Sequence, residues 1–193
     1  ECSSTTHNRE RDRQVSFSAS FFVVGARMLV RKGSGIRDWS DLAHRRVVVS
    51  GGTTATRLLR KLNSDNQWGI DILVAKDVNE NFMMVETGRA AASVQDDVIL
   101  YSNIARAKNP TAWEVVGTPL QKEVYGCMLR KGDAAFKALV DKVIEEMMAS
   151  GEMERLYTKY FQSSIAVRGG IHIDLPLSVD MRELFQHAND RVP

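Results

Sequence analysis

Val47-Val48-Val49-Ser50-Gly51-Gly52-Thr53-Thr54-Ala55-Thr56-Arg57-Leu58-Leu59-Arg60-Lys61-Leu62 reads as a strand, a turn and a helix in immediate succession. Three β-branched residues suit a short buried strand. Gly51-Gly52 ends it. From Thr54 to Leu62 the leucines at 58, 59 and 62 share one helical face. The same alternation continues downstream. Ile70 to Val74 is a strand, and Asn79 to Glu86 is a helix bearing Phe82, Met83 and Val85, closed by Gly88. Ala90 to Val94 is a strand of small residues. Asp97 to Ala107 is a helix stopped by Asn109-Pro110, and Trp113 to Val116 is a further strand. This order predicts an α/β fold with an open parallel sheet covered by helices.

Upstream, residues 1–14 are polar and turn-rich. Val15 to Val30 is rich in β-branched and aromatic residues and reads as extended chain. Gly33-Ser34-Gly35 interrupts it, and Asp38-Trp39-Ser40-Asp41-Leu42 suits a capped helical turn. Past Pro119, Val124 to Leu129 is strand-like. Ala134 to Met148 is a helix with a stripe of Phe136, Leu139, Val140, Val143, Ile144, Met147 and Met148, ended by Gly151. A second helix is expected over Met153 to Phe161. The tail holds Gly169-Gly170, Pro176 and a short helix near Met181 to Phe185.

The chain has 193 residues, with 26 Lys plus Arg against 24 Asp plus Glu, a formal net charge of +2. With 44% apolar and 26% charged residues it matches ordinary globular domains. That excludes collagen-like, disordered and disulfide-dense miniprotein classes. The charge gives no support for nucleic-acid binding. No apolar run is long enough for a transmembrane helix. The chain opens at Glu1 with no Met and no signal-peptide pattern, so it is expected to begin inside a longer gene product.

Three loops could carry chemistry. Ser50-Gly51-Gly52-Thr53-Thr54 follows a strand and opens a helix, where free N–H groups suit an anion such as a carboxylate. It lacks the Lys of a phosphate loop and the third Gly of a dinucleotide fingerprint. It also reads as a plain turn capped by Thr53. Ser4-Thr5-Thr6 with Arg11 offers hydroxyls and a guanidinium fork for a carboxylate, or else is a solvated polar loop. Gln95-Asp96-Asp97 sits at the carboxyl end of a strand, the ligand edge of open α/β sheets, and a carboxylate there could hold an ammonium group. Asp97 also suits the cap of the following helix. His7, His44, His172 and His187 are scattered and form no metal set, and no cofactor motif or nucleophile triad is present.

Glu1-Cys2-Ser3-Ser4-Thr5-Thr6-His7-Asn8-Arg9-Glu10-Arg11 resembles the E-C-G-S-T-T-N-N-x-E-R segment of periplasmic glutamate/aspartate-binding proteins, the solute receptors of polar amino-acid ABC importers. The likeness continues in order through Phe22-Val23-Val24-Gly25-Ala26-Arg27, Gly52-Thr53-Thr54, Ala75-Lys76-Asp77, Glu86-Thr87-Gly88-Arg89-Ala90, Asp96-Asp97 and Tyr125-Gly126-Cys127-Met128-Leu129-Arg130. It implies a type II periplasmic-binding-protein-like fold of two lobes joined by hinge strands, closing on an amino acid. Residues 27–118 would be a complete second lobe. Residues 1–26 and 119–193 would be an incomplete first lobe, the family's opening segment being absent.

The resemblance also implies roles. Ser4, Thr6 and Arg11 would hold the ligand α-carboxylate. Thr53 and Thr54 would approach from the second lobe, and Asp96 would accept the α-ammonium. Cys2 and Cys127 would form a disulfide. Val78 stands where the glutamate/aspartate receptors carry a His against the ligand side chain, and Ser3 replaces their Gly. The implied activity is non-enzymatic: capture of glutamate or aspartate in the periplasm and delivery to a membrane permease, with no cofactor or metal. Two alternatives are a non-binding remnant that self-associates, for instance as a homodimer through its incomplete lobe, and an enzyme on the same fold.

Overall fold

The computed structural model describes residues 1–166 and 170–192, so Gly169 of the expected tail turn lies outside the described residues. In chain order the strands are β1 (Thr6–His7), β2 (Ser16–Arg31), β3 (Arg46–Ser50), β4 (Asp71–Ala75), β5 (Ala92–Asp96), β6 (Trp113–Val116) and β7 (Lys122–Leu129). The α-helices are α1 (Thr54–Asn66), α2 (Val78–Glu86), α3 (Asp97–Arg106), α4 (Ala134–Ala149), α5 (Glu152–Tyr157) and α6 (Val179–Gln186). The chain divides into two compact units, Glu1–Val24 with Lys122–Pro193, and Gly25–Gln121. Strand β2 begins in the first and ends in the second.

In the first unit β1 pairs antiparallel with β7, Thr6 opposite Tyr125 and His7 opposite Val124. One apolar cluster joins Ala19, Cys127, Leu129, Ile144, Met148 and Leu184. A second is built on Tyr157, Leu177 and Met181, with the Phe22 ring 5.7 Å from Tyr157 and 5.2 Å from Phe161. The stripe expected on α4 divides. Ile144 and Met148 are buried, whereas Phe136, Leu139 and Val143 are 46–58% exposed. The helix expected over Met153 to Phe161 is α5 followed by a π-helical turn over Thr158–Gln162.

The second unit holds the alternating segment. Strand β3 pairs parallel with β4 on one side and β5 on the other. Strand β2 then lies antiparallel against both β5 and β6. The sheet is therefore mixed rather than all parallel. The physical reason is the link from Arg31 to Arg46, whose one helical piece is the short turn Trp39–Leu42. Without a crossover helix, β3 returns antiparallel to β2. The strands read from the alternation do share one direction. Side chains split between two cores with the strand period of two. Met28, Val30, Val47 and Val49 face Trp39, Leu42, Ala55 and Leu59. Leu29 and Val48 face Met84, Val85, Leu100 and Trp113.

Strand β5 starts two residues later than expected. The Ala90 amide donates to the Met84 carbonyl at 3.0 Å and so completes the end of α2. At the start of this unit the chain passes closely beside Pro119. A Cβ on Gly25 would lie 2.7 Å from Pro119 Cβ, part of a rigid ring. Gly25→Ala is expected to lower the stability of this unit by about 1–3 kcal/mol. Thermal unfolding followed by tryptophan fluorescence checks this, and an unchanged midpoint would contradict it.

Candidate functional site

The polar N-terminal loop of the first unit is tied at several points. Cys2 and Cys127 are joined by a disulfide. The Glu1 nitrogen donates to the Met128 carbonyl at 3.0 Å, and the Met128 amide donates back to the Glu1 carbonyl at 2.7 Å. Ser3 and Thr5 hydroxyls donate to the Glu1 carboxylate, and these two bonds hold its pKa below the usual glutamate value. Asn8 Oδ1 accepts from the Arg11 amide at 2.9 Å. Lys131 Nζ donates to the carbonyl of Asp12, within the loop's short helical turn at Arg11–Arg13.

This bracing sets the candidate residues. Ser4 is exposed. Thr6 is buried in β1, and its hydroxyl donates to Glu123 Oε2 at 2.8 Å. To donate to a ligand carboxylate it would have to leave Glu123. Arg11 is half-buried, and one guanidinium nitrogen donates to the Thr6 carbonyl at 2.7 Å. An arginine has five N–H donors, so this bond anchors the side chain and leaves donors for a carboxylate. The neighbouring His7 stacks on Phe17 at 4.4 Å and pairs with Asp12 at 2.9 Å.

In the second unit the Ser50–Thr54 turn closes β3 and opens α1. Gly52 takes φ +74, a left-handed conformation that a residue with a Cβ resists. Thr53 caps the helix. Its hydroxyl donates to the Ser50 carbonyl at 2.9 Å and accepts from the Thr56 amide at 3.2 Å. Thr56 donates to the same carbonyl at 2.6 Å. The capping role of Thr53 is thus present, with its hydroxyl proton directed inward. Thr54 is buried as the first residue of α1.

Beneath the turn lies a polar network that the sequence reading did not find. Ser50 Oγ accepts from Gln95 Nε2 and from Asn81 Nδ2, and Ser93 Oγ donates to Asn81 Oδ1. All four side chains are buried. The network couples the carboxyl ends of β3 and β5 to α2, and so holds the turn in place. The available signal was the Ser93/Gln95 pair at strand spacing.

Asp96 is half-buried at the cap position of α3, where its side chain makes no capping bond. The cap expected at Asp97 falls one residue earlier. Asp97 instead opens the helix, and its carboxylate accepts from the Val98 amide at 2.8 Å. Burial pushes the Asp97 pKa above its ordinary value of 3.8, against the opposing effects of the Val98 and Gly25 amides and of Arg27. Arg27 itself donates to the Gly117 carbonyl at 2.9 Å and to the Val115 carbonyl at 3.3 Å.

A carboxyl whose folded pKa is raised gives stability below its unfolded pKa and loses it as pH rises through the folded value. Asp97→Asn removes that loss. The melting temperature of the variant minus that of the parent is therefore expected to grow from strongly acidic to neutral pH. A difference that stays constant with pH would contradict the assignment. Among the described residues no group of His, Cys, Asp and Glu could hold a metal ion.

The model of bacterial extracellular solute-binding proteins, family 3, matches residues 1–163. An L-glutamate/L-aspartate-binding protein of Pseudomonas aeruginosa is 47% identical over 191 residues, 99% of this chain and 63% of the relative. A glutamate/aspartate import solute-binding protein of Escherichia coli K12 is 44% identical over the same shares. The chain thus spans 63% of the length of these relatives. Among solved structures, an ancestral arginine-binding protein bound to glutamine matches with TM-score 0.74 and 28% identity, over 82% of this chain and 69% of that one. The ligand-binding core of GluR0 from Nostoc punctiforme with L-glutamate matches with TM-score 0.72 and 26% identity, over 83% and 72%.

Proposed function

The chain belongs to the bacterial extracellular solute-binding proteins of family 3, and we propose from this that it captures glutamate or aspartate in the periplasm for an ABC importer permease. The observation that carries the reading is Arg11, anchored through the Thr6 carbonyl in a loop that a disulfide fastens to β7. A guanidinium held in this way is prepared for two parallel bonds to a carboxylate. The 44–47% identity to glutamate/aspartate-binding relatives supports the ligand class. The disulfide suits an oxidising compartment.

In this reading Ser4 and Arg11 serve the α-carboxylate, Thr6 joins them when its hydroxyl turns from Glu123 to the ligand, and Asp96 serves the α-ammonium. Thr53 acts by fixing the turn and Thr54 by opening α1. Val78 cannot donate a hydrogen bond to a ligand side chain. Calorimetric titration with L-glutamate, L-aspartate and L-glutamine tests the proposal. Saturable heat with an acidic amino acid supports it. Preference for glutamine would move the ligand class, and no heat from any would overturn it.

A second reading rests on α4, whose exposed Phe136, Leu139 and Val143 form an apolar face. Self-association through that face predicts a dimer in light scattering that Leu139→Glu returns to a monomer. A monomeric parent chain would contradict it.

A further inference from the structure

The second unit contains a pocket of about 460 Å³ at the opposite end of its sheet from Ser50 and Asp96. Its walls include Arg31, Arg45 and Arg46, its floor Ile36, Val85 and Ala90. Arg46 opens β3 and Ser50 closes it, so the two ends stand roughly 13 Å apart at the rise of a strand. Arg31 closes the antiparallel β2, which brings it to the same end. Among the described residues no acidic side chain lines the pocket. Among the described residues none of the three arginines is in an ion pair.

Two of the three guanidiniums are already held. Arg31 lies over the Trp113 ring at 4.5 Å. Arg45 Nε donates to the Asp41 carbonyl at 2.9 Å, which leaves the far edge of its fork. Ser34, also in the lining, accepts from the Ile36 amide at 3.3 Å and keeps its own proton to donate. Three like charges around an apolar floor repel one another, and a multivalent anion relieves that repulsion. Guanidiniums suit the oxygens of phosphate. Ile36, Val85 and Ala90 suit the carbon body attached to it.

We propose that this pocket binds a phosphate ester, with the phosphate on Arg31, Arg45 and Arg46 and the ester carbons on the floor. The proposal does not depend on the amino-acid reading above. A lipid headgroup and a soluble phosphate ester share this chemistry.

The test uses the full chain with inorganic pyrophosphate as the probe, by calorimetry at low salt. A Kd of about 1 mM or tighter is expected. It should weaken about tenfold in the Arg45→Gln, Arg46→Gln double variant and weaken further with added salt. Arg46→Gln alone, at an exposed position, provides a second variant and should weaken binding about threefold. A melting curve confirms that each variant is folded. Absence of saturable binding, or equal affinity in parent and variants, overturns the proposal. In a second arm, vesicles of phosphatidylglycerol and phosphatidylcholine are sedimented with the chain. Arginine-dependent co-sedimentation identifies a headgroup. Pyrophosphate binding without it identifies a soluble ester.

Discussion

Arg11→Ala is expected to weaken L-glutamate binding about 100-fold or more. A hydrogen bond to a charged group contributes about 1.5–3 kcal/mol, and about 1.4 kcal/mol is tenfold in affinity. Two parallel bonds to one carboxylate therefore correspond to at least two decades. Arg11→Lys should recover only part of the loss, because an ammonium keeps the charge but not the fork. Calorimetry of both variants beside the parent gives the ratios. The variant also removes the bond to the Thr6 carbonyl, so a melting curve accompanies each titration. Lost affinity with an unchanged melt identifies direct contact with ligand. A loss below about fivefold in Arg11→Ala would remove Arg11 from the site.

Replacing both Cys2 and Cys127 by Ser is expected to lower the unfolding free energy by about 2–5 kcal/mol. The bridge joins residues 125 apart in sequence, so its loss releases a large closed loop in the unfolded chain. At ordinary urea slopes this moves the midpoint down by about 1–2 M. The chain also supplies an internal reporter. All three tryptophans, Trp39, Trp68 and Trp113, lie in the second unit, whereas the bridge lies in the first. Far-UV circular dichroism should show an earlier transition in the variant, and tryptophan fluorescence a smaller displacement. Equal midpoints for parent and variant by dichroism would contradict the stabilising role.

The elements most open to sequence reading were those with a strong local period. Val47-Val48-Val49 and the leucines at 58, 59 and 62 declare strand and helix because burial acts on side chains one or three to four residues apart. Direction within the sheet carries no such signature, and so the antiparallel course of β2 was not foreseen. Strand β1 has two residues, too few for any period, and exists through pairing with residues nearly 120 positions away. Ser93 and Gln95 alternate with Ala92 and Val94 as a solvated strand face would. They are buried because Ser50 and Asn81 satisfy them. The cysteine bridge was accessible only through family resemblance, since two cysteines at this separation carry no local constraint. Thr53 shows the general limit at a site. Its place at a helix start was readable, but the direction of its hydroxyl proton follows from the Ser50 carbonyl.

The Cys2–Cys127 bridge also governs how the molecule responds to being cut. Every residue of the Gly25–Gln121 unit lies between the two bridged positions. A protease that cleaves one exposed turn there, such as Gly33-Ser34-Gly35, produces two fragments that remain one covalent body. On a non-reducing gel the cut chain migrates without losing a piece, and only reduction releases the fragments. Cleavage after Cys127 is different in kind, because the severed tail carries α4, α5 and α6 and no covalent tether holds it.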